Sequence, residues 1–373
     1  MIPAGLYIDF PFCLARCSFC AFNIQGYREG LAERYIAALR REMLLYAEAP
    51  IWQERVLTSV YFGGGTPTLY PPEVLADLLS LCRRSFPMAA DAEVTIEAHP
   101  ATIDLSILGP LRDGGINRLS MGVQSFSDAH LQALGRHHTG EAARLAFHAA
   151  RAAGFANIGI DLMYALPGSS LTEWEETLRS ATELSPEHLS LYCLSIEEGT
   201  LFHKKEKAGL LSLPSEAEVI LLYQAAQKRL KEAGYEQYEI SNFARPGHAC
   251  RHNLLYWNRN ESLGVGLSAH SYLNREYRAN TDSLPDYLDQ IASGRLPVAQ
   301  TEKISFEAAL KDRIIFGLRK IEGIPFHFLG QDLSLEETAR QLIGEGLLIH
   351  EEDRLRLSSK GILLADEVAI AFL

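Results

Sequence analysis

Leu6-Tyr-Ile-Asp-Phe10-Pro-Phe-Cys13-Leu-Ala-Arg-Cys17-Ser-Phe-Cys20 is the stretch from which the rest of the chain is read. The apolar run Leu6–Phe10 has the length and composition of a β-strand, and it delivers three thiols within eight residues. Thiolates select zinc, copper(I) or iron–sulfur. Structural zinc takes four protein ligands, and no fourth Cys or His follows nearby. A cuboidal [4Fe–4S] cluster suits three thiolates differently: Cys13, Cys17 and Cys20 would each hold one iron, leaving the fourth open to an outside ligand. Three buried core cysteines are the alternative, and the tight spacing speaks against it.

Downstream, strands and helices alternate. The spacing predicts an amphipathic helix over Leu31–Tyr46 and a strand Thr58–Phe62 ending in Gly63-Gly-Gly-Thr66-Pro-Thr68. A helix opened by Pro71-Pro72 runs to about Phe86. Strands follow at Glu93–Glu97, Arg118–Gln124, Asn157–Met163 and His188–Leu194, with helical segments between them. Six strands in this rhythm predict a parallel α/β sheet. Polar residues gather where the strands end: the glycine run, Glu97, Gln124 and Asp161. That is the pattern of a barrel whose C-terminal edge carries the site. An open dinucleotide-binding sheet would need Gly-x-Gly-x-x-Gly after the first strand, and it is missing. A full or partial (β/α) barrel is expected, and the glycine run is a candidate seat for a small-molecule carboxylate or amine.

Beyond it, the pattern predicts a helix over Ser215–Glu232 and a glycine-rich stretch Leu263–His270. Pro285, Gly294 and Pro297 mark 283–300 as a linker, dividing a barrel and its extension (1–282) from a small domain (301–373). Helices followed by a hairpin make that domain winged-helix-like. From Thr301 on, nine Lys or Arg face thirteen Asp or Glu, so a structural or protein-contact role is expected rather than DNA binding.

Composition sets the outer limits. The chain has 373 residues and a net charge of −12, which argues against nucleic acid as a partner. Six cysteines are too few for a disulfide scaffold, and Cys82, Cys193 and Cys250 lie far apart, as in a reducing compartment. No charged leader opens the sequence, and no apolar run approaches the roughly 18 residues of a membrane span. A cytoplasmic protein is expected, with peripheral membrane contact left open.

Cys-x3-Cys-x2-Cys together with Gly-Gly-Gly-Thr-Pro-Thr resembles the radical S-adenosylmethionine (SAM) family. Over nearly the whole length, the chain is similar to the coproporphyrinogen III dehydrogenase branch. The shared stretches include Gly122-Val-Gln124-Ser-Phe, Leu134-Gly-Arg136-His-His-Thr, Ile160-Asp161-Leu-Met-Tyr-Ala-Leu-Pro167-Gly and Pro186-Glu-His-Leu-Ser190-Leu-Tyr. The resemblance implies a [4Fe–4S] cluster whose open iron is chelated by the amino and carboxylate groups of SAM. It also implies an electron donor for the cluster and reductive cleavage of SAM to methionine and a 5′-deoxyadenosyl radical. By position, the family's SAM contacts fall on Tyr7, Phe19, Gly64, Gly65, Thr66, Glu97, Gln124, Arg136, Asp161, Ser195 and His270. Carboxylates at 97 and 161 can accept from an amino group or ribose hydroxyls, and Arg136 can pair with a carboxylate.

Two departures from the dehydrogenase shape the functional expectation. Where that enzyme has a fourth cysteine, Phe22 stands here, and only twelve residues precede Cys13. The chain also carries His252-Asn-Leu-Leu-Tyr-Trp257, which resembles a signature of the related heme chaperones. That resemblance implies heme as ligand, His252 on its iron, and delivery to recipient hemoproteins. His248 and Cys250 are alternative ligands, since both residue types bind heme iron. A single His beside aromatics is also what a packed core residue looks like. Coproporphyrinogen III oxidation, or radical chemistry on another substrate, are the rival functions.

Overall fold

A computed structural model describes residues 1–373, with the side chain of Gln331 left out. Six parallel strands form its centre: β1 (Ile2–Phe10), β2 (Arg55–Gly64), β3 (Met88–Ala98), β4 (Arg118–Gln124), β5 (Ile158–Tyr164) and β6 (His188–Cys193), side by side in chain order. Strand β7 (Asn242–Ala244) adds antiparallel to β6, while β8 (Glu261–Val265) pairs parallel with β1. Beyond β8 run three antiparallel strands, β9 (His270–Leu273), β10 (Glu276–Asn280) and β11 (Val298–Lys303). The twelve-stranded sheet keeps two free ends, so of the two expected barrels it is the partial one.

Away from the register shifts at Ala4/Gly5, Leu57/Ser59 and Gly122/Gln124, the strands alternate as period-two geometry requires. Leu6, Ile8, Phe10, Val60, Phe62, Val94, Ile96, Leu119, Met121, Ile160, Leu162 and Leu189 join one hydrophobic core, which includes residues of the helices outside the sheet. The intervening residues face the lumen and are mostly polar: Tyr7 and Asp9, Ser59 and Tyr61, Glu93 and Glu97, Arg118 and Ser120, Asp161, His188 and Ser190. That polar lining is what lets the sheet's concave side host chemistry.

The expected linker 283–300 is corrected. Leu284–Ala292 is a helix capped by Ser283, with Tyr287 and Ile291 at 0% and 1% exposure in the barrel's core. Val298–Lys303 is the sheet's edge strand. The proline and glycine signals mark the helix's first turn and its end, not a flexible joint. Glu42, at 0% exposure, explains the attachment. It accepts from Tyr287 OH at 2.6 Å, Gly266 N at 2.9 Å and Asn280 Nδ2 at 2.7 Å. Three segments between residues 266 and 287 thus meet on one carboxylate more than 220 positions earlier in the chain.

The terminal domain has its own core around Ile314, Leu335, Leu342, Leu355 and Val368. Helices Phe306–Leu318 and Leu333–Gly344 lead into the hairpin Leu348–Glu351/Arg354–Leu357, to which Ile324–Pro325 adds a third strand. Helices followed by a hairpin were expected there. No helix among the described residues is long and apolar enough to cross a membrane.

Candidate metal centre and adjoining cavity

The cysteine loop leaves β1 and is tied down from several sides. Phe12–Cys13 pairs in parallel with Gln25–Gly26. Ser18 donates its N–H to Leu134 O at 2.9 Å and accepts from Phe202 N at 2.9 Å. Arg16 donates to Cys20 O at 3.2 Å and Ile24 O at 3.3 Å. Cys13, Cys17 and Cys20 are half-buried on this loop, with Thr66 Oγ1 3.5 Å from Cys13 Sγ and Arg136 Nη1 3.6 Å from Cys17 Sγ. Burial pushes the Cys13 and Cys20 thiols up, so metal binding there releases protons. Among the described residues no three His, Cys, Asp or Glu side chains converge on a single ion's position. A cuboidal cluster does not ask for that, because each thiolate takes a separate iron.

Behind the loop lies a cavity of about 410 Å³, walled by the three cysteines, Phe19, Gly64, Gly65, Thr66, Glu97, Gln124, Arg136, Asp161 and Tyr192. Its size falls in the range of ligand pockets. The glycines are there for space. Gly64 has φ +103°, and a Cβ on Gly65 would stand 2.6 Å from Phe12 O and 2.7 Å from Phe10 O. Only a bare backbone can turn here and still lie against the first strand.

Glu97 accepts from Gly64 N at 3.1 Å and from Tyr61 OH at 3.0 Å. Burial, then the charge of Asp161, pushes its carboxyl up to about 7. Burial also pushes Asp161 up, against the hydroxyls of Ser190 and Ser120 and the charge of Arg118. Two buried carboxyls facing one cavity favour a cationic or multiply donating ligand. Arg136, bonded to Gly122 O, supplies the opposite charge. His99 beside it is pushed down to about 2, by burial first and then by Arg136, and stays neutral. Gln124 takes φ +70° where the pairing of β4 with β5 slips, which re-aims the end of β4.

Nine of the eleven expected SAM contacts lie on or just beneath this cavity. Eight line it directly, and Tyr7 sits one layer deeper, stacked on Tyr61 at 5.8 Å. Ser195 and His270 are exposed and do not belong to the wall. His252 is elsewhere too. It is 2% exposed inside the lumen, with Nδ1 2.7 Å from Ser59 Oγ and Nε2 2.9 Å from Tyr256 OH. Both ring nitrogens are engaged, so the expected heme ligand has no open coordination position as folded. Cys250 is 0% exposed against Glu93, whereas His248 is half-buried on the preceding loop. Sequence reasoning missed Tyr61 and Tyr192; both sit two residues from a polar residue on the same lumen face, and that periodicity was the available signal.

A sheet edge of this kind, with three cysteines and a glycine run against one cavity, defines a radical SAM protein. The family model described as Radical SAM superfamily matches residues 7–181, and that of the HemN C-terminal domain matches 304–364. A heme chaperone HemW of Mycobacterium tuberculosis is 36% identical over 98% of this chain and 94% of its own length. That of Bacillus subtilis is 33% identical over 98% of both. The solved coproporphyrinogen III oxidase HemN of Escherichia coli, described as a radical SAM enzyme, superposes with a TM-score of 0.86. It is 29% identical and covers 100% of this chain and 90% of its own. The chain belongs to the HemW family. Membership in the radical SAM superfamily implies a [4Fe–4S] cluster and SAM, and the donor set fits both: three thiols on one loop, and a glycine cradle with carboxylates and one guanidinium beside it.

Proposed function

We propose that this chain is a heme chaperone that binds heme and passes it to recipient hemoproteins. The observation that carries the reading is full-length similarity to proteins named for that role. In it, Cys13, Cys17 and Cys20 hold the cluster, while Gly64, Gly65, Thr66, Glu97, Gln124, Arg136 and Asp161 hold SAM. When bound, the two cofactors supply one-electron chemistry. Asp161 and Glu97 receive the ligand's donors, Arg136 receives its carboxylate, and Phe19 shields the loop from water. Leu14 and Phe22, each 68% exposed at the lip of the cavity, give an external electron donor an apolar surface beside the cysteines.

The heme ligand is proposed among His248, Cys250 and His252. His248 offers its ring as folded; His252 enters only if its bonds to Ser59 and Tyr256 open. The likeness to HemN favours one second reading, coproporphyrinogen III oxidation. One paired experiment decides. The cluster is reconstituted anaerobically, SAM and reductant are added, and heme is offered in one vessel, coproporphyrinogen III in another. Stoichiometric heme binding, followed by transfer to an apo-hemoprotein, is the expected result. Formation of protoporphyrinogen would overturn the chaperone-only reading. Heme titrations of His248→Ala, Cys250→Ala and His252→Ala name the ligand by which one loses the bound spectrum.

A further inference from the structure

Helix Arg251–Trp257 turns one face, carrying His252 and Leu255, into the lumen beneath the cavity. Its N-terminus is anchored on Glu93, which accepts from His252 N and Arg251 N, each at 3.1 Å. Against β1 there is no slack. A Cβ on Gly5 would stand 2.8 Å from Leu255 Cδ1 and 3.1 Å from His252 Cε1. The imidazole is therefore clamped by the Gly5 backbone, Ser59 and Tyr256. Its upper face packs on Tyr61, with centroids 5.0 Å apart and planes 32° apart, and on Tyr7 at 6.2 Å. The phenol of Tyr61 then reaches upward and donates to Glu97 in the cavity wall.

We infer that His252 is a positioning residue for the SAM site, acting through Tyr61 on Glu97. The chain of contact is short and continuous: Ser59 and Tyr256 fix the imidazole, the imidazole and the Tyr7 ring each pack against Tyr61 in a triangle of rings, and the Tyr61 hydroxyl sets the carboxylate that faces the ligand. Burial pushes the His252 imidazole down to about 3. It stays neutral, with one nitrogen donating and the other accepting, an arrangement that two hydroxyl partners can match. The inference concerns SAM affinity and stands apart from the choice of heme ligand. It assigns the His-Asn-x-x-Tyr-Trp segment a task at the cofactor site even where no heme is bound.

The test uses the full chain with its cluster reconstituted, and reads SAM affinity by equilibrium dialysis under argon. Tyr61→Phe removes only the donor to Glu97 and weakens SAM about fivefold, the worth of one hydrogen bond. His252→Ala weakens it by a similar factor. In the double variant the loss is no greater than the larger single loss, because the two residues act in series. A merely structural role would not move the pH profile. Here the pH at which affinity is half-maximal rises in both single variants, because the Tyr61 bond holds the Glu97 carboxyl down against burial and the Asp161 charge. Unchanged affinity in Tyr61→Phe overturns the inference, as does multiplication of the two losses in the double variant. If His252→Ala does not fold, Tyr61→Phe still decides. Loss of heme from His252→Ala with SAM affinity intact would overturn this inference while supporting His252 as ligand. Weakened SAM with heme stoichiometry intact does the reverse.

Discussion

The two ends of the lumen use the same kinds of residue to opposite effect. At the C-terminal edge, three thiols, two carboxyls and a guanidinium surround a cavity, with few partners among themselves. Toward the other end, Cys250, Glu93, His252, Ser59 and Tyr256 bond to one another around helix Arg251–Trp257. Cys13 and Cys250 are both cysteines with raised thiols, yet one faces a half-open loop and the other is pushed up to about 12 in full burial. Glu97 and Glu93 share a strand and a face. Glu97 accepts from Gly64 N and Tyr61 OH and still lines the cavity, while Glu93 accepts from the Cys250 thiol and two backbone amides and lines none of it. A carboxyl that keeps one side on a cavity can receive a ligand, and one enclosed by protein donors serves as scaffold.

The largest effect should come from the cysteines. Cys13→Ala, Cys17→Ala or Cys20→Ala abolishes the cluster, measured as iron and sulfide per chain after reconstitution. Cys250→Ala should retain it in full. Cluster loss in Cys250→Ala would break the contrast between the two ends.

Glu93→Gln comes next and probes the scaffold. It removes the negative charge at the helix N-terminus and in the neighbourhood of the fully buried Arg118. The expected cost is about 2–3 kcal/mol, seen as a lower denaturant midpoint, with the cluster still assembling. A variant as stable as the parent would mean that the lumen network is decoration.

Glu97 gives the third effect. Its carboxyl, pushed up to about 7, must be ionised to receive a cationic group. SAM affinity should therefore rise about tenfold between pH 6 and 8, and Glu97→Gln should flatten that rise. Glu42 is pushed up to about the same value by burial alone, relieved by its donors, but it faces no cavity. For Glu42 the proton is held more tightly folded than unfolded. Its contribution is thus full below the unfolded value near 4.5 and declines as pH rises toward 7, by about 3 kcal/mol in all. A Glu42 variant should change that stability profile and leave the SAM profile untouched.

Much of the edge was legible because its chemistry is local. Three cysteines in eight residues, a glycine run and strand-end carboxylates each announce themselves within a few positions, and the fold gathers them as strand alternation predicts. The lumen beneath was harder to read, since His252 meets Ser59 across 193 residues and no window of sequence contains both. Taken alone, His252 beside Tyr256 and Trp257 reads as a packed core residue, and the resemblance made it a heme ligand; what lets it pack is Gly5, whose missing side chain admits the helix. The segment 283–300 failed for a related reason. Proline and glycine there describe how the backbone starts and stops a helix, while Tyr287 finds its partner on Glu42, 245 positions away.

That last contact yields the smallest effect and the sharpest check on domain structure. Tyr287→Phe keeps the ring in the core and deletes one hydrogen bond to a buried carboxylate. The expected loss is about 1–2 kcal/mol. If 283–300 belongs to the barrel, this loss lowers the unfolding midpoint of the barrel itself, followed by the tryptophan signal of Trp52 and Trp174, both in its core. A free linker would transmit nothing to either indole. The loss should also grow with pH through the range where Glu42 ionises, since a hydrogen bond to a charged acceptor is the stronger one. A pH-independent loss would mean that Glu42 remains protonated in the folded protein, and that it joins its three segments as a neutral acid.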